Sequence, residues 1–195
     1  MKEVFYEESS RIQNEKSANT KYYIFKSLSV ASYIIMVIWL MFIFMAPILT
    51  GNTLFDIIFI VVPFVLFLTS GILFGRFKNR FYIDYDYTFV TGSIRVAKVI
   101  KNIKRKFILK FEAKSIEKIG KYGSNTFEKY SSMPGVNKLI FTSNYTADEG
   151  KDFYYIVANV DGTKKLMIFE CTELFIVNIL KFSNKSVLEE EFSAK

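Results

Sequence analysis

The apolar residues of this chain follow two different patterns. Residues 27–55 and 57–75 carry no charged side chain. Each run reaches the roughly 20 apolar residues that an α-helix needs to cross a hydrocarbon core of about 30 Å. The pattern predicts a two-helix transmembrane hairpin over residues 27–75, with spans at about 28–48 and 55–75. Pro47, Gly51 and Asn52 supply the turn, and Pro63 predicts a kink in the second span. A polar arm, residues 1–26, precedes the first run, and a second run follows, so the pair reads as an anchor and not as a cleaved signal. Gly71 and Gly75 form a small-x-x-x-small pair, a candidate helix contact.

Beyond residue 80 the period falls to two. Phe81, Ile83, Tyr85, Tyr87 and Phe89 alternate with Asp84, Asp86 and Thr88, the pattern of a half-buried strand with its acids in solvent. A Thr91-Gly92 turn, the strand SIRVAKVI, a Lys101-Asn102 turn and the strand IKRKFILKF follow. In the last of these, Phe107, Leu109 and Phe111 are expected in the core, with Lys104, Lys106 and Lys110 on the solvent face. SIEKI, KLIFTS, FYYIVANV and KKLMIF complete seven strands, the last two joined through the hairpin signal DGT. From residue 172 to 183 the spacing of Phe175, Ile179 and Phe182 becomes helical, with Thr172 placed to cap. The domain is expected over residues 80–183, and residues 184–195 form a charged tail. Between strands, residues 120–136 read as a long irregular connection. Its Tyr122, Phe127, Tyr130 and Met133 either offer anchors to a protein partner or fold back over the strands.

Composition removes much chemistry. The 195 residues contain no histidine and one cysteine, Cys171. A Cys/His zinc site, an internal disulfide, a Ser-His-Asp triad and a Cys-His dyad are therefore excluded. Cys171 reads as a small buried hydrophobe. Asp84 and Asp86 read as solubilising positions and not as a catalytic pair, and Asp148, Glu149 and Asp152 do not match a calcium-loop spacing. No Gly-rich phosphate motif follows a strand. No catalytic residue, cofactor or metal site is expected.

Charge is strongly localised. Residues 76–114 hold eleven cations and three acids, a balance of +8, whereas residues 115–195 hold ten cations and eleven acids. Lys16, Lys21 and Lys26 precede the first span, and Arg76, Lys78 and Arg80 follow the second, while the connection between spans carries no Lys or Arg. The positive-inside rule then places both termini in the cytoplasm of a multi-pass cell-membrane protein. Arg76, Lys78, Arg80, Lys98, Lys101, Lys104, Arg105 and Lys106 are the candidate membrane-surface residues. These cations form a solvated strand face, meet anionic lipid headgroups, or meet nucleic acid phosphates. Membrane tethering and the absence of a recognition motif argue against nucleic acid.

Seven short strands closed by one helix look like a pleckstrin-homology (PH) type of split barrel. The stretch DYDYTFVTGSIRVAKVIKNIKRKFIL also resembles the start of the cytoplasmic domain in a family of small two-span membrane proteins of clostridia and other Firmicutes. In that family a tyrosine-rich strand, a Thr/Asn-Gly turn and a basic hairpin follow the two spans. The resemblance implies a membrane hairpin plus an α+β, mainly β, PH-like split barrel of about seven strands with a C-terminal helix. It brings no reaction with it. The Lys-x-Gly pattern of phosphoinositide-binding PH domains is missing from FVTGSIRV. The expected function is a non-enzymatic, membrane-anchored cytoplasmic binding or scaffolding module whose basic hairpin faces anionic headgroups. The alternative is an accessory subunit of a larger membrane complex, the domain contacting protein partners or a second copy of the chain.

Overall fold

A computed structural model of the chain describes residues 4–45, 53–184 and 187–189. Pro47, Gly51 and Asn52, expected in the hairpin turn, and most of the charged tail lie outside the described residues. The chain divides into two units: residues 14–82, and residues 1–13 together with 83–195.

The first unit is helical. Helix α1 spans Glu15–Met45 and α2 spans Thr53–Phe77. Asn14 starts α1 by accepting the Ser17 amide on Oδ1 at 3.0 Å, so the helix begins well before the expected span. The helices are antiparallel: Ser29 Oγ donates to the Gly71 carbonyl at 2.8 Å, and nearer the connection Trp39 packs on Phe59, ring centroids 5.2 Å apart. Helix α2 continues through Pro63. Only 6% of the most apolar window of each helix is buried, and Ile34, Ile38, Met41, Ile57 and Leu66 stand outward. The core helix of a soluble protein would be covered on such a face, whereas a bilayer satisfies it.

Among the described residues the second unit carries eight strands in two sheets. The first sheet, in the order β1-β2-β3-β4, joins β1 (Phe5–Ser10), β2 (Ile83–Val90), β3 (Ser93–Ile100) and β4 (Lys104–Glu112), all antiparallel. The second, in the order β5-β7-β8-β6, joins β5 (Ile116–Lys121), β7 (Asp152–Val160), β8 (Thr163–Cys171) and β6 (Asn137–Phe141), with only the β6–β8 pair parallel. Helix α3 (Asn125–Ser132) lies between β5 and β6 in the chain, and α4 (Glu173–Leu180) follows β8. Tyr87, Phe89, Ile94 and Phe111 of the first sheet meet Ile156, Met167 and Phe169 of the second and Phe175 and Ile179 of α4 in the main core. Tyr155, Val157, Leu166 and Ile168 point to the opposite face of the second sheet, where Phe127 of α3 covers them. Burial on both faces explains why β7 and β8 are almost continuously apolar.

Several expectations are corrected. Phe5–Ser10, placed in the polar arm, is the edge strand β1, in register from Phe5 opposite Val90 to Ser10 opposite Tyr85. Its polar side chains are gripped. Ser10 Oγ donates to Glu170 Oε2 at 2.5 Å, while Glu8 accepts the Thr172 amide at 2.8 Å and the Thr172 hydroxyl at 3.0 Å. Thr172 thus sits at the N-cap of α4, but its hydroxyl serves Glu8 and not the helix. Asp84 is not a solvated residue: it is 3% exposed and accepts the Ile12 amide at 2.8 Å. The connection expected to be irregular contains α3, started by Ser124 Oγ accepting the Phe127 amide at 3.2 Å.

Phe107 is the most consequential correction. A β-bulge lies between the Val96–Leu109 and Ala97–Phe107 pairs, leaving Ile108 as the extra residue of β4. An extra residue reverses the in-out alternation beyond it. Leu109 and Phe111 therefore stay in the core, but Phe107 turns to the other face and is 62% exposed.

Candidate functional site

The basic hairpin is built by β3, β4 and the turn between them. Lys101 and Asn102 both adopt left-handed backbone, at φ 50° and 55°, and the Ile103 amide donates to the Ile100 carbonyl at 3.1 Å. Two consecutive positive φ angles match the right-handed twist of the strands and hold a tight two-residue turn. The turn lies at a particular end of the sheet. Ile100 pairs with Ile83, the first residue of β2, where the chain arrives from α2. Ser10, the last residue of β1, pairs with Tyr85 near the same end. Both connections to the apolar helices thus leave the sheet beside the hairpin turn.

The cations are distributed over both hairpin faces. Lys98 stands directly opposite Lys106, and Ile100 opposite Lys104. Like charges paired across strands oppose folding, and an anionic surface would relieve that cost. Arg105 is committed within the fold: its guanidinium lies 2.9 Å from Asp86 Oδ2 and 3.9 Å from Glu7 Oε1. Asp86, expected in solvent, is thereby a structural partner. Lys104 and Lys106 have no acidic partner among the described residues, and both are exposed. Ile103 at 82%, Phe107 at 62% and Ile108 at 37% exposure add apolar surface among these cations. That apolar component escaped the sequence reading because Ile108 gives no local sign of a bulge.

The other candidate residues divide between the two units. Arg76, Lys78 and Arg80 belong to the helical unit, where the Lys78 ammonium lies 5.9 Å from the Tyr22 ring centroid and the Arg80 guanidinium 5.2 Å from that of Phe77. Gly71 and Gly75 face α1: a Cβ at Gly71 would stand 2.8 Å from the Tyr33 ring, and one at Gly75 would stand 3.3 Å from Ser29 Oγ. Of the aromatic cluster, Phe127 is a core residue and Tyr130 packs beside it. Tyr122 and Met133 remain more open, at 51% and 37% exposure, with the Tyr122 ring 4.7 Å from that of Phe127.

Potentially reactive groups are engaged in structure. Burial pushes the Cys171 thiol well above its ordinary range, with the nearby Glu8 charge acting in the same direction, so the residue is a poor thiolate nucleophile. Glu170, fully buried, accepts from Ser10, Thr142, Asn144 and the Asp148 amide. Among the described residues its carboxylate is satisfied by hydrogen bonds without a cation. Asp152 pairs with Lys121 at 2.7 Å. Among the described residues no three His, Cys, Asp or Glu side chains converge as a metal site requires.

Two helices long and apolar enough to cross a membrane, placed in the chain between strands of a two-sheet domain with a closing helix, are consistent with a two-span membrane protein carrying a PH-like β-sandwich. The family model of the bacterial PH-like domain (DUF6106) matches residues 5–189, and the chain belongs to that family. No curated protein and no solved structure matches the chain. The matched range begins at β1 and runs through both helices, so the helical hairpin is part of the family's pattern. Family membership supports a binding or scaffold module.

Proposed function

We propose that the protein is a non-enzymatic, membrane-anchored binding or scaffolding module whose basic hairpin rests against the anionic headgroups of the cytoplasmic leaflet. The observation that carries this reading is the position of the Lys101-Asn102 turn, at the sheet end where the chain passes to and from the apolar helices. Because β1 precedes the helices and its partner β2 follows them, both connections must emerge on one side of the membrane. The cations flanking the spans then favour the cytoplasmic side.

Magnitudes fit an orienting role. Each cation near an anionic surface contributes about 1 kcal/mol, so Lys101, Lys104 and Lys106 together contribute about 3 kcal/mol. That recruits a free protein only weakly, but it orients a domain already held at an effective concentration of about millimolar. Hydrogen exchange of the full chain in nanodiscs tests the reading. Amides of residues 98–108 should exchange more slowly in anionic than in neutral lipid, and the difference should vanish in high salt or when Lys101, Lys104 and Lys106 are changed to Gln. Equal exchange in both lipids would overturn the headgroup contact and direct the search to a protein partner. Protease access from outside intact cells would overturn the cytoplasmic placement.

A further inference from the structure

The hairpin carries more than charge. Bulging at Ile108 places Phe107 on the face of β4 that also carries Arg105, and Ile103 projects from the turn itself. Exposed apolar side chains scattered singly are ordinary, but Ile103 and Phe107 are grouped on one projecting hairpin whose other β4 face carries Lys104 and Lys106, and such a grouping marks a contact surface. Strand β4 is also an edge of its sheet, so no further strand covers this side. A purely electrostatic surface has no use for an aromatic ring turned out of a core, and a solvated hairpin gains solubility by keeping it in.

Resting on the membrane-facing reading above, we infer that the β3–β4 hairpin enters the bilayer interface, with Ile103 and Phe107 reaching past the phosphates while Lys104 and Lys106 stay at headgroup level. The occupant of this surface is an anionic phospholipid bilayer. Charge complementarity favours it, and so does chain reach: α2 ends at Phe77 and β2 begins at Ile83, and the residues between them span at most about 20 Å. Strand neighbours lie about 5 Å apart, so the turn lies beside Ile83, where the chain arrives from α2. Apolar groups entering an interface typically settle about 5–10 Å below the headgroups, a depth that Ile103 at the turn and Phe107 on the Arg105 face of β4 can sample when that face lies against the lipid.

The test uses the full chain in anionic nanodiscs, labelled with an environment-sensitive fluorophore at Ile103→Cys, Phe107→Cys or, as a control, Tyr145→Cys. All three positions are exposed, Tyr145 fully at 101%, so the substitutions spare the fold. The native Cys171 is buried and contributes only the background measured on the unsubstituted chain. Nitroxides are placed either on the lipid headgroup or at a shallow position of the acyl chain. Acyl-chain nitroxide should quench the probes at 103 and 107 several-fold more than the probe at 145. Phe107→Ser should weaken the quenching at 103. Quenching by the headgroup nitroxide alone would overturn insertion while leaving the headgroup contact standing. Equal and weak quenching at all three positions would overturn both.

Discussion

Ser10→Ala is the sharpest test of how β1 is held. Ser10 is 1% exposed, and its hydroxyl donates to Glu170 Oε2 at 2.5 Å. The substitution removes one donor from a fully buried carboxylate and leaves Thr142, Asn144 and the Asp148 amide in place. A hydrogen bond to a charged group is worth about 1.5–3 kcal/mol, and for a domain of this size that lowers Tm by about 5–15 °C. Cys171 supplies the assay. It is the only cysteine and is fully buried in the same unit, so a thiol-reactive dye added during a thermal ramp in micelles reports opening of the sandwich whatever the apolar helices do. Ser9→Ala is the control: Ser9 is less buried, its backbone carbonyl keeps the Lys151 ammonium at 2.6 Å, and its effect should stay within about 0.5 kcal/mol. In a Glu170→Gln background, Ser10→Ala should cost less than in the native chain, because the two side chains share one interaction. If Ser10→Ala melted together with Ser9→Ala and with the native chain, the Glu170 cluster would not be what fixes β1.

Removing residues 1–13 deletes β1 and takes the Ile12 amide from Asp84, the Ser10 hydroxyl from Glu170 and the Glu8 carboxylate from Thr172, so Cys171 should label at ambient temperature; joining residues 4–13 to 83–189 through a flexible linker should restore protection. Alkaline pH should destabilise the sandwich. Burial holds the Cys171 thiol and the Tyr87 phenol well above their ordinary values and Tyr154 at about 12, while the unfolded chain releases these protons from about pH 8.5 to 10. The unfolded state then binds fewer protons, so stability is complete below about pH 8 and falls from about pH 9 upward; a near-UV circular dichroism melt that is flat over that range would refute this. Gly71→Ala drives a Cβ into the Tyr33 ring at 2.8 Å and should loosen the α1–α2 contact, read as a lower helix melting point in micelles, with Tyr33→Ala restoring it.

The strands β2 to β8 and helix α4 were legible because their apolar residues repeat at the period of the element they form. Strand β1 was not. In FYEESS the buried side chain is a serine, Glu8 faces Thr172 across 164 positions of chain, and the pairing partner β2 lies beyond the whole helical hairpin. Helix α3 did leave a signal: Ser124 stands three residues before Phe127, and Tyr130 follows three later, a cap and one apolar face. At the candidate site the positions of the cations were readable from sequence alone. The exposure of Phe107 was not, since it depends on a bulge at an isoleucine that nothing nearby marks. Burial of Asp84 was hidden for a similar reason, because its partner is the backbone of Ile12 in the same unreadable segment.

Carrying the helices in the chain between two paired strands changes what the anchor can do. A domain joined to a membrane by one flexible linker samples every orientation, and a few surface cations would be diluted among them. Here two chain connections leave the sheet within two residues of one another in register, at Ile83 and at Tyr85 opposite Ser10. Both are short: β1 ends at Ser10 and α1 begins at Glu15, while α2 ends at Phe77 and β2 begins at Ile83. Contacts that hold β1, through Ser10, Glu8 and Ile12, therefore also hold one of the two tethers against the sandwich. On the proposed headgroup contact, modest per-residue energies then suffice to choose the pose of the hairpin.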